Sequence, residues 1–199
     1  MGLLAAAAAV LIVLGCATVG AAAPPAGNPQ GLALLEKIHR AYRHLPGILI
    51  VDNTSPVHSR TTIVLRSGVA FAQQTVATTR GGGKTTYVSR LGSSTFVRRP
   101  GGKCWRRQGP PISGIGRRFP DIRGSHVEAP KASRSGWLLP VVSDTPSRAV
   151  TKVARLVFDV NGKTLRIRRI VTPGTFGSVA YLTPLGKTPQ LATPSPLCS

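Results

Sequence analysis

A glycine-rich run with the composition of a phosphate-binding loop, Gly81–Thr85, is the first stretch whose residue types could do chemistry. Such a loop needs a glycine five residues before Gly83, where Thr78 stands, and it opens a helix. The residues Thr85–Val88 instead have the β-branched and aromatic side chains of a strand. We therefore interpret the glycines as a hairpin turn, and we do not predict nucleotide binding.

Side chains for acid–base catalysis are scarce. The chain has six Asp and Glu residues in total, and none of them forms a tight pair in the sequence. Strand alternation could align His126 with Glu128, and a hydrolase that uses these two groups is the least favoured function. We expect no catalytic residue, no metal site and no cofactor.

The three cysteines indicate an oxidising compartment. Cys16 falls in an apolar leader and is either lipidated or removed, which leaves Cys104 and Cys198 as an even pair. After export these two thiols are expected to form a disulfide that pins the C-terminal tail, the alternative being two free thiols. Two isolated cysteines without partner histidines do not make a zinc site.

The leader has the pattern of a secretory signal peptide. Residues 1–23 contain no charged side chain and carry the apolar run Leu3–Leu14, followed by small residues. Two cleavage sites remain open. A lipobox would remove residues 1–15 and leave Cys16 lipidated, whereas an A-x-A-like site would remove 1–21 and leave 22–29 as a linker. We expect export to the bacterial cell envelope or periplasm, with membrane anchoring if Cys16 is acylated and secretion otherwise.

The net charge is extreme. The chain has 26 Lys and Arg against 6 Asp and Glu, a net charge of +20. This charge predicts attraction to anionic membranes or cell-wall polymers. Specific nucleic-acid binding is not expected, because aromatic residues are scarce and no known motif accompanies the clusters. The arginines we assign to anionic-surface contacts are Arg98, Arg99, Arg106, Arg107, Arg117 and Arg118.

One amphipathic helix is predicted near the N-terminus. Asn28 and Pro29 have the residue types of an N-cap and a first helical position. Apolar residues then recur at three- and four-residue steps over Gln30–Leu45. Pro46 and Gly47 end the pattern. The helix has one apolar stripe, so it must pack against another element.

That element is predicted to be an antiparallel sheet. From Ile48 to Gly109, short runs of β-branched and aromatic residues alternate with glycine-rich turns, and the pattern resumes over Ala154–Leu182. Residues 110–147 are rich in proline and glycine, and we expect an irregular crossing segment there. Residues 183–199 are expected to be a C-terminal tail. Residues 30–199 therefore form a single α+β domain.

After the turn Pro100–Cys104, the residues Trp105-Arg106-Arg107 are similar to the aromatic-rich strand found midway in a family of exported proteins. The order of parts also matches: a signal peptide or lipobox, one amphipathic helix, a long meander, a lid-like stretch and further strands. Over about Gln30–Leu182 the chain thus resembles the LolA/LppX/LprG type of lipoprotein carrier. The resemblance implies a curved antiparallel sheet, a half-barrel, wrapped around the helix and a cavity for acyl chains.

The resemblance implies a non-catalytic function, in which an exported, membrane-tethered monomer binds or carries a lipid or other amphiphile in the cavity between sheet and helix. The alternative is a basic envelope protein that binds anionic polymers or membrane surfaces by charge and has a solid core. Apolar residues from the helix and strands are the candidates to line the cavity. They are Leu35, Ile38, Tyr42, Leu65, Phe71, Val88, Phe96, Trp105, Phe158 and Ile167.

Overall fold

The computed structural model of the protein describes residues 27–52, 57–79, 85–91, 94–108, 115–144, 155–173 and 177–198. The leader, with Cys16 and both cleavage sites, lies outside the described residues. Within them the chain forms one helix, α1 (Pro29–Tyr42), and twelve strands. The strands are β1 (Gly47–Asp52), β2 (Val57–Arg66), β3 (Val69–Thr79), β4 (Thr85–Leu91), β5 (Ser94–Arg98), β6 (Arg106–Gln108), β7 (Ser125–Val127), β8 (Lys131–Ser133), β9 (Gly136–Ser143), β10 (Arg155–Asn161), β11 (Ile167–Thr172) and β12 (Ser178–Leu185).

All twelve strands belong to one antiparallel sheet. Its order is β6-β5-β4-β3-β2-β1-β12-β11-β10-β9-β7, and β8 pairs with β9 beside β7. The first strand pairs with the last, Gly47 opposite Leu185, so two meanders meet at the centre of the sheet. The expected α+β architecture, a curved antiparallel sheet with one N-terminal amphipathic helix, is confirmed for the described residues.

The helix begins where the sequence predicts and crosses one side of the sheet. The Asn28 side chain accepts hydrogen bonds from the backbone N–H groups of Gln30 and Gly31, so it caps two of the free donors at the helix N-terminus. Near this end, the Asn28 N–H donates to the Val127 carbonyl of β7 at 2.8 Å. At the other end, the Tyr42 hydroxyl accepts from the Ile167 N–H of β11 at 3.0 Å.

The apolar stripe of α1 is buried against the sheet. Leu34, Leu35, Ile38 and Tyr42 on the helix pack with side chains from β1, β2, the start of β3 and β9–β12, together with Val127 of β7. We call this surface the helix-facing side, and the opposite surface the outer side. The sheet contributes Ile48, Ile63, Leu65, Ala70, Leu139, Val141, Leu156, Phe158, Val160, Ile167 and Leu182 to this core.

The segment 110–147 is more regular than the sequence predicts. Its described part contains β7, β8 and β9, so the expectation of an irregular crossing segment is wrong there. Pro140 lies inside β9, and its carbonyl accepts from the Glu128 N–H on the side away from β10. The N–H and C=O of a strand residue point to the same side, so the missing N–H of Pro140 does not interrupt the pairing with β10.

The C-terminal tail crosses the outer side of β1–β5. A Cβ placed on Gly47 would lie 2.7 Å from the Pro189 ring, so the tail leaves room there for a hydrogen atom alone. Further along, the side-chain amide of Gln74 on β3 exchanges two hydrogen bonds with the backbone of Ala192. At the end, the Trp105 N–H donates to the Pro196 carbonyl at 2.8 Å, and the Cys198 N–H donates to the Trp105 carbonyl.

Candidate ligand-binding face

The helix-facing side of the sheet has two parts of different composition. The apolar core ends at β2 and the first residues of β3, because no residue of β4, β5 or β6 belongs to the core of the described residues. The same side of the sheet continues from Thr61 of β2 over the rest of β3 and over β4–β6, and we call this continuation the distal face. By strand register its side chains include Thr61, Gln73, Thr75, Ala77, Val88, Arg90, Thr95 and Val97.

A chain of polar side chains runs across the distal face. The Thr61 and Thr75 hydroxyls are 3.0 Å apart, and both residues are buried. The Gln73 side-chain N–H donates to the Thr75 hydroxyl at 3.2 Å. On the other side of Gln73, its amide oxygen lies 3.4 Å from a terminal nitrogen of Arg90. This network orients the amide of Gln73 so that its oxygen faces the guanidinium.

Arg90 and Thr95 have polar atoms without a partner. The two residues are directly opposite each other on β4 and β5, so their side chains share the distal face. The Arg90 Nε and the Thr95 hydroxyl are both inaccessible to solvent, and neither has a hydrogen-bond partner. Burial lowers the pKa of the Arg90 guanidinium below its ordinary value. The distal face therefore contains a half-buried cation with one unused buried donor, opposite an unused hydroxyl.

The structure separates the ten predicted cavity residues into a buried core group, one residue on the distal face, and three residues elsewhere on the sheet. Six of them belong to the apolar core under α1: Leu35, Ile38, Tyr42, Leu65, Phe158 and Ile167. Val88 lies half-buried on the distal face. Phe71 is 42% exposed, and the Arg66 guanidinium stacks on its ring at 3.6 Å. The candidates are thus not gathered around one space.

Phe96 and Trp105 lie on the outer side, which differs from the prediction. Phe96 is in register with Ser89, one residue out of phase with Val88, so its side chain points away from the helix-facing side. Trp105 packs edge-on to Tyr87 with ring centroids 6.2 Å apart, and Tyr87 also belongs to the outer side. A shift of one residue moves a strand side chain to the opposite face, and the sequence does not define that phase.

Trp105 instead anchors the tail. It is buried beside Cys104, which the structure joins to Cys198 as a disulfide with Cα atoms 5.1 Å apart. The Arg98 guanidinium stacks over the Tyr87 ring at 4.1 Å and lies 5.2 Å from the Trp105 ring. The β5–β6 hairpin therefore holds the tail against the outer side of the sheet.

The predicted surface arginines form two groups. Arg98, Arg99, Arg106 and Arg107 lie on the β5–β6 hairpin at one edge of the sheet, and all but Arg98 are exposed. Arg117 and Arg118 lie in a separate segment that hydrogen-bonds to the β2–β3 turn. Arg118 approaches Glu36 of α1 at 3.7 Å. The first group has the higher density of exposed positive charge.

The two candidate acid–base residues each contact a side chain other than the predicted partner. His126 contacts Asp144 at 2.7 Å, and Glu128 contacts Arg155, so the structure does not join His126 to Glu128. Asp159 contacts both Arg168 and Arg169. Over the described ranges, no group of three metal-ligating side chains is placed to hold an ion. No helix in the described part of the chain is long and apolar enough to cross a membrane.

Sequence reasoning missed the polar residues of the distal face. The sequence pattern predicts no role for Gln73, Thr75, Arg90 and Thr95, although the alternation of residues along the strands contains a signal. Gln73 and Arg90 occupy positions in otherwise apolar or threonine-rich strands that alternation assigns to the same side. Assigning that side to the interior required the strand register of the complete sheet.

No protein-family model matches the chain, and no curated protein sequence matches it significantly. Among solved structures, a LolA superfamily protein from Nitrosomonas europaea is similar to this chain with a TM-score of 0.41 and 11% sequence identity. The similarity covers 83% of this chain and 96% of that chain. A TM-score below 0.5 supports no conclusion about function. The argument for a function therefore rests on the side chains of the sheet.

Proposed function

We propose that this protein is a non-catalytic, exported and membrane-tethered monomer that binds or carries a lipid or other amphiphile. The ligand would lie on the distal face, beside the core that α1 covers. Its apolar part would pack on Ala77, Val88 and Val97, and its polar part would meet the hydrogen-bonding groups next to them. The proposal includes no reaction step.

The composition of the distal face carries this proposal. A sheet surface that served only as core would be apolar, as it is under α1. The distal face instead combines half-buried Val88 and Val97 with buried polar residues such as Gln73 and Thr75. Ligand sites are typically concave and mostly apolar, with a few polar groups that fix orientation. An amphiphile is the class of ligand that satisfies both kinds of side chain.

The decisive experiment is ligand capture with a matched pair of variants. Protein purified from its host envelope is analysed by native mass spectrometry and then titrated with a fluorescent acyl amphiphile. We expect a co-purified ligand and saturable binding. Val88→Gln on the distal face should weaken binding about tenfold, because it removes apolar contact area and adds an amide. Val76→Gln should leave binding unchanged, because Val76 follows Thr75, the residue opposite Val88, and therefore faces the outer side.

The result that would overturn the proposal is equally specific. An empty protein that also ignores added amphiphile, while circular dichroism shows an intact fold, excludes a carrier. Equal loss of binding in both variants would place the ligand elsewhere on the molecule. Export and tethering are tested separately, by fractionation of the host and by mass analysis of the mature N-terminus around Cys16.

The second candidate is a basic envelope protein with a solid core. It is favoured by the net charge of +20 and by the complete burial of six predicted cavity residues in the core. Contacts between exposed charges weaken as salt rises, because the screening length falls from about 10 Å at 0.1 M to about 3 Å at 1 M. Binding to anionic vesicles or wall polymers that disappears with salt, without amphiphile binding, would support this candidate.

A further inference from the structure

Among the described residues, two half-buried arginines, Arg90 and Arg166, have neither an anionic partner nor a ring contact, and of these two Arg90 lies on the distal face. Arg123 pairs with Asp121, and Arg168 pairs with Asp159. Arg98 stacks on the Tyr87 ring. Arg90 takes part in none of the ion pairs or ring contacts among the described residues. Its one assigned contact is the Gln73 amide oxygen at 3.4 Å, which is long for a hydrogen bond.

No Asp or Glu side chain of the described residues is placed to serve as the anionic partner of Arg90. All six Asp and Glu side chains lie in the described ranges, and five of them contact basic side chains other than Arg90. The sixth, Asp52, is four residues along β1 from Ile48. Strand register leads from Ile48 through Ile63 and Gln73 to Arg90. Asp52 is therefore roughly 13 Å further along the sheet, in addition to being three strands away.

Two potential hydrogen-bond donors on the distal face, one from Arg90 and one from Thr95, have no acceptor. A guanidinium has five N–H donors and no acceptor, and the buried Arg90 Nε has no partner. The Thr95 hydroxyl, opposite Arg90, is also buried without a partner. A buried donor without an acceptor costs about 1–3 kcal/mol. Two such donors side by side, one of them charged, are satisfied together by a negatively charged acceptor.

We propose that Arg90 and Thr95, with Gln73 orienting the guanidinium, bind the anionic group of a ligand on the distal face. The group is a phosphate or a carboxylate, because a guanidinium can donate two parallel hydrogen bonds to either. Its source is the head of an amphiphile or a free ion. The first source deepens the proposed function, since it defines the ligand as an anionic amphiphile, and the second is independent of it.

The experiment compares three probes on the full mature chain. A single-chain lipid with a phosphate monoester head, the neutral monoacylglycerol of the same chain, and inorganic phosphate are titrated by calorimetry. The variants are Arg90→Gln and Thr95→Val. The control is Arg134→Gln, which removes an equal charge from an exposed position between β8 and β9, at the other edge of the sheet.

We expect the protein to bind the phosphorylated lipid at least about tenfold more tightly than the neutral lipid, as charge-assisted hydrogen bonds predict. Arg90→Gln should abolish this preference and leave affinity for the neutral lipid intact, whereas Arg134→Gln should retain the preference. Thr95→Val should reduce it partially. If Arg90→Gln fails to fold, Arg90→Lys replaces it and should lower the preference, because an ammonium lacks the planar pair of donors.

The outcomes separate this inference from the proposed function. Binding of both lipids without preference keeps the carrier and overturns the anion site. Binding of inorganic phosphate alone, lost in Arg90→Gln and kept in Arg134→Gln, supports the anion site with a free ion and excludes the carrier. The anion site is also overturned if Arg90→Gln and Arg134→Gln behave alike, or if no anionic probe binds.

Discussion

The two parts of the helix-facing side stabilise the same sheet in different ways. Under α1, each strand packs apolar side chains against Leu35, Ile38 and their neighbours, and the helix excludes water. Over β3–β6, the strands place hydrogen-bonding residues on that side, and the reinforcement comes from the outer side. There the C-terminal tail lies against the sheet and is held by Cys104 and Cys198.

This difference shows how the chain keeps a polar surface inside its fold. The polar residues of the distal face contribute little apolar burial, so that part of the sheet needs stabilisation from elsewhere. A tail fixed to the outer side supplies it without occupying the distal face. We therefore expect substitutions in the two parts to differ in size and in the structural element that responds.

The largest effect is expected from the core under α1. Leu35→Ala should lower the free energy of unfolding by about 2–5 kcal/mol, because it deletes a fully buried side chain and leaves a cavity. Val88→Ala on the distal face should cost about 1 kcal/mol or less, since its side chain is half-buried. Urea unfolding of both variants measures the two losses in the free energy of unfolding, and so their ratio. Equal losses would mean that the distal face is ordinary core.

Removal of the disulfide is expected to have the second-largest effect on stability and to act on the part of the sheet formed by β3–β6. The bond joins residues 94 positions apart, and the double variant Cys104→Ser/Cys198→Ser should lose about 2–4 kcal/mol. Amide hydrogen exchange should rise in the tail and β3–β6 while α1 stays protected. Uniform exchange over the whole chain would contradict the separate reinforcement. Thiol titration of the unmodified protein checks that the bond exists in solution.

Acid should weaken the covered half, the part of the sheet that packs under α1, through Asp159 of β10. Burial alone would raise the pKa of this carboxyl, but hydrogen bonds and charges from Arg168 and Arg169 outweigh burial and lower the pKa below its usual range. The ionised form thus stabilises the fold above the unfolded-state pKa of about 3.9, and this contribution disappears as the pH falls through the folded-state value.

The matching variant is Asp159→Asn, which should cost about 1–3 kcal/mol at neutral pH. Unfolding measured from pH 7 to pH 2 should show the two proteins converging in acid. A constant difference over that interval would show that the ion pairs do not contribute.

Among the buried groups of the part that α1 covers, the smallest effect is expected from the Tyr42 hydroxyl at the end of α1. Tyr42→Phe removes the acceptor of the buried Ile167 N–H but keeps the ring contact with Phe119 at 5.0 Å. The expected loss is about 1–2 kcal/mol, measured by thermal unfolding. Binding on the distal face should be unaffected, since Tyr42 belongs to the covered half. A change in ligand affinity would join the two halves into one site.

Much of the covered half could be predicted from the sequence because its signals are local. Asn28, Pro29 and the apolar period define a helix within a few turns, independently of the rest of the chain. The pairing order of the sheet was less accessible. The sequence of the β7–β9 segment, which includes Pro140, predicts irregular structure. The segment nevertheless forms strands, because Pro140 needs no N–H to pair with β10 and its carbonyl accepts from Glu128 on the other side.

The sequence by itself thus determined the helix, the antiparallel strand pattern and the surplus of positive charge, since composition and short-range periodicity encode them. The tertiary structure decided which side of each strand faces α1. Phe96 and Trp105 fell on the outer side, while Gln73 and Arg90 fell on the helix-facing side. Successive residues of a strand point to opposite faces, so a phase of one residue separates core from surface, and long-range pairing alone selects that phase.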